Sequence, residues 1–519
     1  MPVSLLLALL VFHANTSYAA PPASASPAAS AQTSNTPSSG PQTFLDAARA
    51  LHTARGNERL WLDAAGRPTS QAKAALAVFE AAGDHGLDAQ AYGADRLRSI
   101  LDGEGDGTAA QERFDLAMTV ATMRYAQHLH GGRVNPRRLG FEFDAAPNRL
   151  DLAAVVQDIA TSSDPAAALE QLEPNFFVYQ RLQAQLPHYR ALAAEFAGNT
   201  LPAPTERVLE PGSDYAGTAE LTRLLVQLGD LPGANGAATP ASTRYEGALV
   251  SGVRQFQRRH GLDVDGRIGP GTLAALNTPM QHRVEQLSLA MERLRWVPPL
   301  GGRATIVVNI PEFRLRVFDE ERQVVLGMKV VVGRATKSRT PVFAGDLATV
   351  VFRPYWNVPR SIEREMGGRV GKDFERVNGG LRQKPGSKNA LGLVKFLFPN
   401  DHAVYLHDTP SKGGFASSQR DFSHGCIRLE DPAALAAWVL GDDPAWTAAK
   451  IDAVMHGDRD NIAVSKVPPV PVYIFYVTAV VDEAGEVAFF EDVYGHDAAL
   501  AKSLRAQAVA PASTADAVL

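Results

Sequence analysis

Two different periods of apolar residues divide this chain into a helical part and a strand-rich part. Between residues 43 and 199, apolar positions recur three and four apart, as in residues 71–79 and 114–122, which predicts amphipathic helices. From residue 306 onward, β-branched runs bounded by proline and glycine predict strands. We therefore expect a multidomain α+β protein. Its helical N-terminal domain precedes a β-rich, sandwich-like domain in which two sheets enclose a core.

The β-rich domain is expected to occupy residues 304–480, followed by a hairpin and helix at 481–505 and a low-complexity tail at 506–519. The predicted elements are strands at 306–310, 314–318 and 324–332, a short helix at 435–440, and a closing hairpin with strands at 472–481 and 487–493. A glycine-rich insertion at residues 360–387 interrupts the domain. We interpret it as a lid, with a static excursion as the alternative.

A separate module is predicted at residues 214–278. Helices at 245–259 and 271–277 flank a tight turn at Asp265-Gly266, and a loop at 229–242 interrupts the segment before them. The spacing of FQ, HGL, DG, IG and ALN resembles the three-helix peptidoglycan-binding domain of cell-wall enzymes. Because so few residues bury only a small core, a packing module without a ligand is the alternative.

The N-terminus has the pattern of an export signal. Residues 4–12 form a short apolar run, and Ser17 and Ala19 supply small residues at the −3 and −1 positions of a cleavage site. The run is much shorter than the roughly 20 residues that span a bilayer, although no lysine or arginine precedes it. We expect a signal peptide at residues 1–19, a disordered Pro/Ala/Ser linker at 20–42, and an exported chain without a transmembrane segment once the signal is removed.

Composition narrows the classes of partner. With 519 residues, of which 45% are hydrophobic and 21% charged, the chain is long enough for several ordinary globular domains. Its net charge of −5 provides no global basic field for nucleic acid, so we predict no nucleic-acid partner.

Cys426, the only cysteine in the chain, is the candidate nucleophile. It lies in the segment SHGCIR at residues 423–428, and one cysteine cannot form an intramolecular disulfide. A buried structural cysteine is the common alternative. Gly425 permits unusual backbone dihedrals, so the N–H groups of Gly425 and Cys426 are candidates for an oxyanion hole.

A thiol with a pKa near 8.5 needs a base, and His402, His407 and His424 precede Cys426 in the sequence. On an extended segment His424 shares a face with Cys426, so its ring would stand beside the thiol and not across a substrate from it. His407 ends a strand-like run that a loop can bring next to Cys426. We therefore prefer His407 as the general base.

Two neighbours of His407 are given supporting roles. A carbonyl or carboxylate should fix the tautomer of the ring, and the backbone of Asp408 is a candidate. Tyr405 faces the same side as His407 and is a candidate donor to a substrate or an oxyanion, with a core or rim aromatic as the alternative.

Zinc binding is the main chemical alternative for these residues. His424, Cys426 and a distant histidine supply three candidate ligands. Structural zinc usually takes four ligands from short Cys or His pairs, and no second cysteine exists here. We therefore predict no metal and no cofactor.

Residues 304–492 resemble the catalytic domain of the YkuD-type L,D-transpeptidases. The family signature is a histidine, some fifteen residues and then Ser/Thr-His-Gly-Cys, which matches His407, residues 408–422 and the SHGC of residues 423–426. Supporting spacings are TPVF at 340–343, YWNVP at 355–359 and NALGLVKF at 389–396. The order of helical domain, wall-binding module, catalytic domain and C-terminal hairpin is similar to that of the large periplasmic enzymes of Gram-negative bacteria.

The resemblance implies acyl transfer in two steps. Cys426 would attack the carbonyl of the third stem residue, typically meso-diaminopimelate, and His407 would protonate the departing D-alanine. A second stem would then attack the thioester and leave a 3-3 cross-link. The residues expected to line the site are Ser423, His424, Gly425 and Tyr405, with Trp356 and Arg428 as substrate-binding residues. Many smaller family members carry asparagine in place of Arg428, and a structural salt bridge is its alternative role.

Three functions are compatible with these residues. The first is cross-linking in the periplasm, with peptidoglycan stem peptides and glycan as partners and other wall-synthesis enzymes as further candidates. The second uses the same thioester for hydrolysis, as an L,D-carboxypeptidase, or for exchange of the terminal D-amino acid. The third is a non-catalytic wall-binding scaffold, which an intact Ser-His-Gly-Cys with a spaced histidine disfavours.

Overall fold

The structure of the chain is a computed structural model. It describes residues 41–509, except residues 103–106, 144–149, 176, 197, 199, 232–242, 299–301, 368–370 and 483. The predicted signal peptide, nearly all of the predicted linker, most of the loop predicted at 229–242 and the end of the predicted tail lie outside the described residues.

The N-terminal region is helical, as predicted. Its α-helices are α1 (Pro41–Ala54), α2 (Ser70–Glu80), α3 (Ala94–Leu101), α4 (Thr108–Gly131), α5 (Leu152–Thr161), α6 (Pro165–Glu170) and α7 (Phe177–Glu195). Thr69, Asp151 and Asp164 cap the first turns of α2, α5 and α6 by accepting backbone N–H groups. The 24-residue α4 contributes Phe114 and Tyr125, both buried, to the core of this region.

One strand of the N-terminal region belongs to the sheet of the C-terminal domain. The two residues of β1 (Phe141–Glu142) pair in parallel with Val342 and Phe343. The Phe141 ring is fully buried and lies edge-on to Trp296, with ring centroids 5.3 Å apart. A two-residue strand has no periodicity, so the sequence does not predict it.

The middle module contains α8 (Thr218–Gln227), α9 (Ala248–Arg259) and α10 (Pro270–Leu276). Gly266 adopts a φ of +75° in the turn predicted at Asp265-Gly266. The buried amide of Gln257 holds this turn, because its oxygen accepts the Gly266 N–H at 2.8 Å and its nitrogen donates to Asp265 at 2.9 Å. The helix, turn and short helix that the sequence predicts are therefore present.

A mixed sheet dominates the C-terminal region. The strands are β2 (Thr305–Asn309), β3 (Arg314–Phe318), β4 (Val324–Gly333), β5 (Val342–Phe352), β6 (Trp356–Asn357), β7 (Phe374–Val377), β8 (Gly380–Gln383), β9 (Val394–Leu397), β10 (Leu406–His407), β11 (Asp421–Ser423), β12 (Ile427–Leu429) and β13 (Ile462–Phe475). The helices among and before them are α11 (Met280–Leu294), α12 (Arg360–Glu365), α13 (Pro432–Leu440) and α14 (Ala448–His456). The three strands predicted at 306–332 and the helix predicted at 435–440 are confirmed, and the α+β class is confirmed with them.

The sheet closes on itself. Its order is β1-β5-β13-β2-β3-β4-β12-β10-β9, with β11 beside β4, and β9 also pairs with β5. One continuous ladder therefore surrounds the core, where we expected two separate sheets. Alternate side chains such as Ile306, Val308 and Leu315 are fully buried inside it. The closing β5–β9 pair joins segments about 45 residues apart, which local periodicity does not report.

The C-terminal elements differ from the prediction at two points. The closing hairpin consists of β14 (Ala479–Val481) and β15 (Val487–Phe489). Residues 472–475 belong instead to β13, which pairs with both β2 and β5. The last helix, α15 (His496–Val509), also extends into the segment predicted as tail. Arg505 forms an ion pair with Glu285 and the Gln507 amide donates to the Arg133 carbonyl, so tertiary contacts hold this end of the helix.

Helix α11 connects the module, the N-terminal helices and the sheet. It is buried on nearly all sides and carries charged residues at interior positions. Arg293 is fully buried and paired with Asp497 at 2.5 Å, and the Glu292 carboxylate accepts the Arg133 and Val134 N–H groups. Within the described part of the chain, no helix is both long and apolar enough to cross a membrane.

Candidate active site

Parallel pairing of β10 with β12 brings the candidate histidine to the strand that directly follows Cys426. Leu406 lies opposite Ile427, and His407 lies opposite Arg428. Leu406 and Ile427 point into the core, where both are fully buried. Because side chains alternate along a strand, His407 and Arg428 point to the other face.

Cys426 is a partly buried free thiol beside Tyr405. Burial raises the pKa of the Cys426 thiol, whereas hydrogen bonds from the Tyr405 N–H and hydroxyl, and the nearby Arg428 guanidinium, act in the opposite direction. The sulfur lies 3.8 Å from the Ala403 carbonyl oxygen. The resting thiol is therefore protonated at neutral pH and needs a base to become a nucleophile.

His407 is buried and held in one tautomer. Its Nδ1 lies 2.5 Å from the Asp408 carbonyl oxygen, the group expected from the sequence. A carbonyl only accepts hydrogen bonds, so Nδ1 carries the proton and the lone pair of the neutral ring is on Nε2. Burial lowers the pKa of His407 to about 4, with the Arg428 and Lys395 charges adding to this effect and the Asp408 carbonyl and carboxylate opposing it. The ring is therefore neutral at pH 7 and able to accept a proton.

The Asp408 residue that orients His407 is itself fixed. Its carboxylate accepts the Leu393 N–H at 2.8 Å and pairs with Lys412 at 2.9 Å. Gly392 makes room for it, because a Cβ atom there would lie 2.5 Å from the Asp408 Cβ and nearer still to the carboxylate. Sequence reasoning missed Lys412, and it used the segment containing Gly392 only as a spacing.

Ser423 organises the turn before the cysteine. Its hydroxyl donates to the Cys426 carbonyl at 2.6 Å and accepts the Gly425 N–H at 3.1 Å. The Gly425 N–H is thus already used within the turn, which corrects its predicted place in an oxyanion hole. Gly425 has a φ of +112°, a conformation that favours glycine, so its predicted backbone role holds.

A second set of hydrogen bonds joins this turn to Thr340 and to Gly333 at the end of β4. The Thr340 hydroxyl donates to the Gly425 carbonyl at 2.8 Å and accepts the Gly333 N–H at 2.9 Å. The Tyr494 hydroxyl donates to the Gly333 carbonyl at 2.5 Å and accepts the Thr340 N–H. Tyr494, which comes from the C-terminal segment, was missed because nothing local links it to residues 423–426.

The other two candidate histidines contact different carboxylates. His424 is exposed and its Nε2 lies 3.1 Å from Glu365 of α12. His402 lies 3.0 Å from Glu142 of β1 and packs on Phe343. The described residues contain no cluster of three or more histidine, cysteine, aspartate or glutamate side chains that could hold a metal ion.

The insertion predicted as a lid, residues 360–387, forms a small folded unit together with the preceding strand β6. Strands β6, β7 and β8 form a three-stranded sheet, and Asn378 and Gly379 both have positive φ in the β7–β8 turn. An Asn-Gly pair at such a turn is a strong hairpin signal, which the sequence carries and we did not use. The unit borders the site through the indole of Trp356, which hydrogen-bonds with Tyr405, and through the Glu365 contact with His424. That this unit opens and closes as a lid stays a prediction.

Two cations flank His407. Arg428 is its neighbour on β12, and Lys395 is its neighbour on β9. Among the described residues, Arg428 does not form the salt bridge that we considered as its alternative role. The ionisable groups that influence its pKa are Arg334 and Cys426, and neither is a carboxylate. Lys395 lies in the segment that we used only as a spacing, so no role was predicted for it.

Three family models match separate parts of the chain. The model described as "Scaffold domain" matches residues 46–186, "Putative peptidoglycan binding domain" matches residues 215–276, and "L,D-transpeptidase catalytic domain" matches residues 303–473. These are the three parts that the resemblance implies, in the same order, so the resemblance is confirmed.

Relatives are similar over part of their length. A Haemophilus influenzae protein named "Putative L,D-transpeptidase" is 31% identical over an alignment of 243 residues, with 41% of this chain and 48% of that protein covered. The chain therefore spans about half the length of this curated relative.

Solved structures of L,D-transpeptidases are also similar to the chain. One from Xylanimonas cellulosilytica is 16% identical, with 53% of this chain and 100% of that chain covered and a TM-score of 0.18. One from Stackebrandtia nassauensis is 14% identical, with 53% and 97% covered and a TM-score of 0.22. At these TM-scores the likeness adds no argument about the fold.

Proposed function

Since residues 303–473 match an L,D-transpeptidase catalytic domain, we propose that this protein cross-links peptidoglycan stem peptides through a thioester on Cys426. The observation that carries the proposal is the β10–β12 pairing. It sets a neutral, buried histidine with a fixed tautomer next to the strand that directly follows the chain's only cysteine. A cysteine with a neutral histidine on the neighbouring strand is the kind of pair that nucleophilic acyl transfer uses, which supports the proposal.

In the first step, His407 Nε2 accepts the thiol proton and the Cys426 sulfur attacks the carbonyl of the third residue of a tetrapeptide stem. A C–S bond forms, and the oxyanion is stabilised by the Cys426 N–H and the Tyr405 hydroxyl, since the Gly425 N–H is occupied. The C–N bond then breaks, and His407 returns the proton to the amine of D-alanine. The product is a thioester and free D-alanine.

In the second step, the amine of another stem attacks the thioester. His407 accepts a proton from that amine, the C–S bond breaks, and the proton returns to the Cys426 sulfur. The new amide is the 3-3 cross-link. Water attacking the same thioester would give hydrolysis, so the folded insertion beside Tyr405 and His424 is expected to limit access of water.

Mass spectrometry of the full chain with disaccharide-tetrapeptide tests this proposal. We expect an adduct on Cys426 equal to the stem minus D-alanine, followed by a cross-linked dimer. Cys426→Ala should give neither, whereas Ser417→Ala, a change at a nearby exposed serine, should give both. A folded wild-type protein without any adduct would refute the proposal.

The same experiment separates the alternatives that share the thioester. An adduct followed only by disaccharide-tripeptide would indicate an L,D-carboxypeptidase. Incorporation of an added D-amino acid without dimer would indicate exchange. Each of these results would replace cross-linking as the function.

The match of residues 215–276 supports binding of the cell wall by the middle module. We propose that the reaction takes place in the periplasm after export through residues 1–19, and that other wall-synthesis enzymes are further partners. Cosedimentation of the Cys426→Ala chain with purified sacculi tests wall binding, and cell fractionation tests export. Recovery in the soluble cytoplasmic fraction would contradict the predicted location.

A further inference from the structure

Lys395 is a half-buried cation on the same face of the sheet as the proposed catalytic pair. On β9, Val394 and Phe396 are fully buried in the core, so Lys395 between them points to the opposite face. Its partners in the ladder are His407 on β10 and Val351 on β5. The ammonium nitrogen lies 5.9 Å from the centre of the Tyr405 ring.

This cation has no carboxylate partner among the described residues. Burial is the cause that lowers the pKa of Lys395, and no acidic group acts on it. The carboxylate next to His407, that of Asp408, is already held by Lys412 and the Leu393 N–H. A desolvated ammonium without a counter-charge is unfavourable, and a carboxylate from outside the chain would remove that cost.

Lys395 and Arg428 act on different parts of the site. Arg428 lowers the pKa values of both Cys426 and His407, as expected for a residue two positions after the thiol and opposite His407 in the ladder. Lys395 acts on His407 but is not among the groups that act on Cys426. In the ladder, β10 lies between β9 and β12, so Lys395 on β9 and Cys426, which directly precedes β12, lie on opposite sides of His407.

We propose that Lys395 binds the carboxylate of the residue that leaves when Cys426 is acylated. This inference rests on the proposed function. His407 must protonate the amine of the leaving D-alanine, and bond lengths place the carboxylate oxygens of an α-amino acid within about 4 Å of its nitrogen. The leaving carboxylate must then lie close to His407, and Lys395 is the unpaired cation on that side. Arg428 is left for a carboxylate on the acyl part of the stem.

The test compares two donor stems that differ in one group. One ends in D-alanine and the other in D-alaninamide, which has nearly the same shape but no charge. For the wild-type protein we expect kcat/KM for release of the last residue to be about tenfold to a hundredfold higher with the acid than with the amide. Lys395→Met should lose most of this preference by slowing the acid while leaving the amide nearly unchanged, and Lys395→Arg should restore part of it.

Lys450→Met, at an exposed lysine of α14, is the matched control and should keep the full preference. A structural role for Lys395 would lower both rates equally, which would overturn the inference. An unchanged acid-to-amide ratio in Lys395→Met would also overturn it while leaving the thioester mechanism intact. Failure of the wild-type protein to acylate with either stem would instead refute the proposed function.

Discussion

Gly392 is the position where a single methyl group should disturb the proposed base without touching it. In Gly392→Ala the new Cβ would lie 2.5 Å from the Asp408 Cβ, whereas ordinary contact begins at 3.4 Å. Asp408 must therefore move by about 0.9 Å, the difference between these two distances. Its carbonyl fixes the His407 ring, so the ring should move with it.

A displacement of about 1 Å in a catalytic group can cost roughly a hundredfold in rate, equivalent to about 2.7 kcal/mol. We expect this loss in kcat/KM for D-alanine release, measured well below the unfolding temperature of the variant. Gly392 also has a φ of +60°, which costs alanine about 1 kcal/mol of stability. Loss of activity must therefore be separated from loss of folded protein.

Gly56→Ala is the matched control for backbone strain. Gly56 has a φ of +68° and no atom within 4 Å of the place where the alanine methyl would lie, so it shares the strain without the collision. It should lose about 1 kcal/mol of stability and keep wild-type activity. Asp408→Gly combined with Gly392→Ala removes the colliding side chain and should recover part of the lost rate. Wild-type kcat/KM in a folded Gly392→Ala would refute the positioning role of Asp408.

Two further predictions concern the base and the turn. The proposed proton acceptor is neutral His407, and burial lowers its pKa to about 4, so kcat/KM should fall on the acid side near pH 4 and not near pH 6.5. Because the Arg428 charge also lowers this pKa, Arg428→Met should move the acid limb of the profile to higher pH. An acid limb at pH 6.5 in the wild-type protein would contradict the assignment. Ser423→Ala should lower the free energy of unfolding in urea by about 1–3 kcal/mol, because it leaves the Gly425 N–H and the Cys426 carbonyl without their hydrogen-bond partner. A decrease below about 0.5 kcal/mol would show that the turn does not depend on the Ser423 hydroxyl.

Local signals in the sequence were enough to select a candidate nucleophile and to predict the main helices. Gly425 before Cys426 pointed to an unusual backbone conformation, and the structure has it at φ +112°. The turn at Asp265-Gly266 and the helix at 435–440 were also predicted, because each depends on residues that are neighbours along the chain.

The support of the site was not predictable from the sequence. The Gly425 N–H looked free for an oxyanion, but the Ser423 hydroxyl accepts it. Lys412, Lys395 and Tyr494 lie at the site only because strands and loops distant in sequence meet around His407 and the cysteine turn. When two hydrogen-bond partners are far apart in the sequence, neither is marked by a pattern in its neighbouring residues.

The sequence by itself determined which residues are candidates for the chemistry: one cysteine, a histidine at a suitable spacing, and the alternating strands predicted to carry them. The tertiary structure decided the environment of those residues. Strand pairing sets His407 between two cations, and burial keeps it neutral with its Nδ1 proton on the Asp408 carbonyl. The physical reason is that propensity and periodicity reflect interactions over a few residues, whereas burial, charge and ladder partners are properties of the closed sheet.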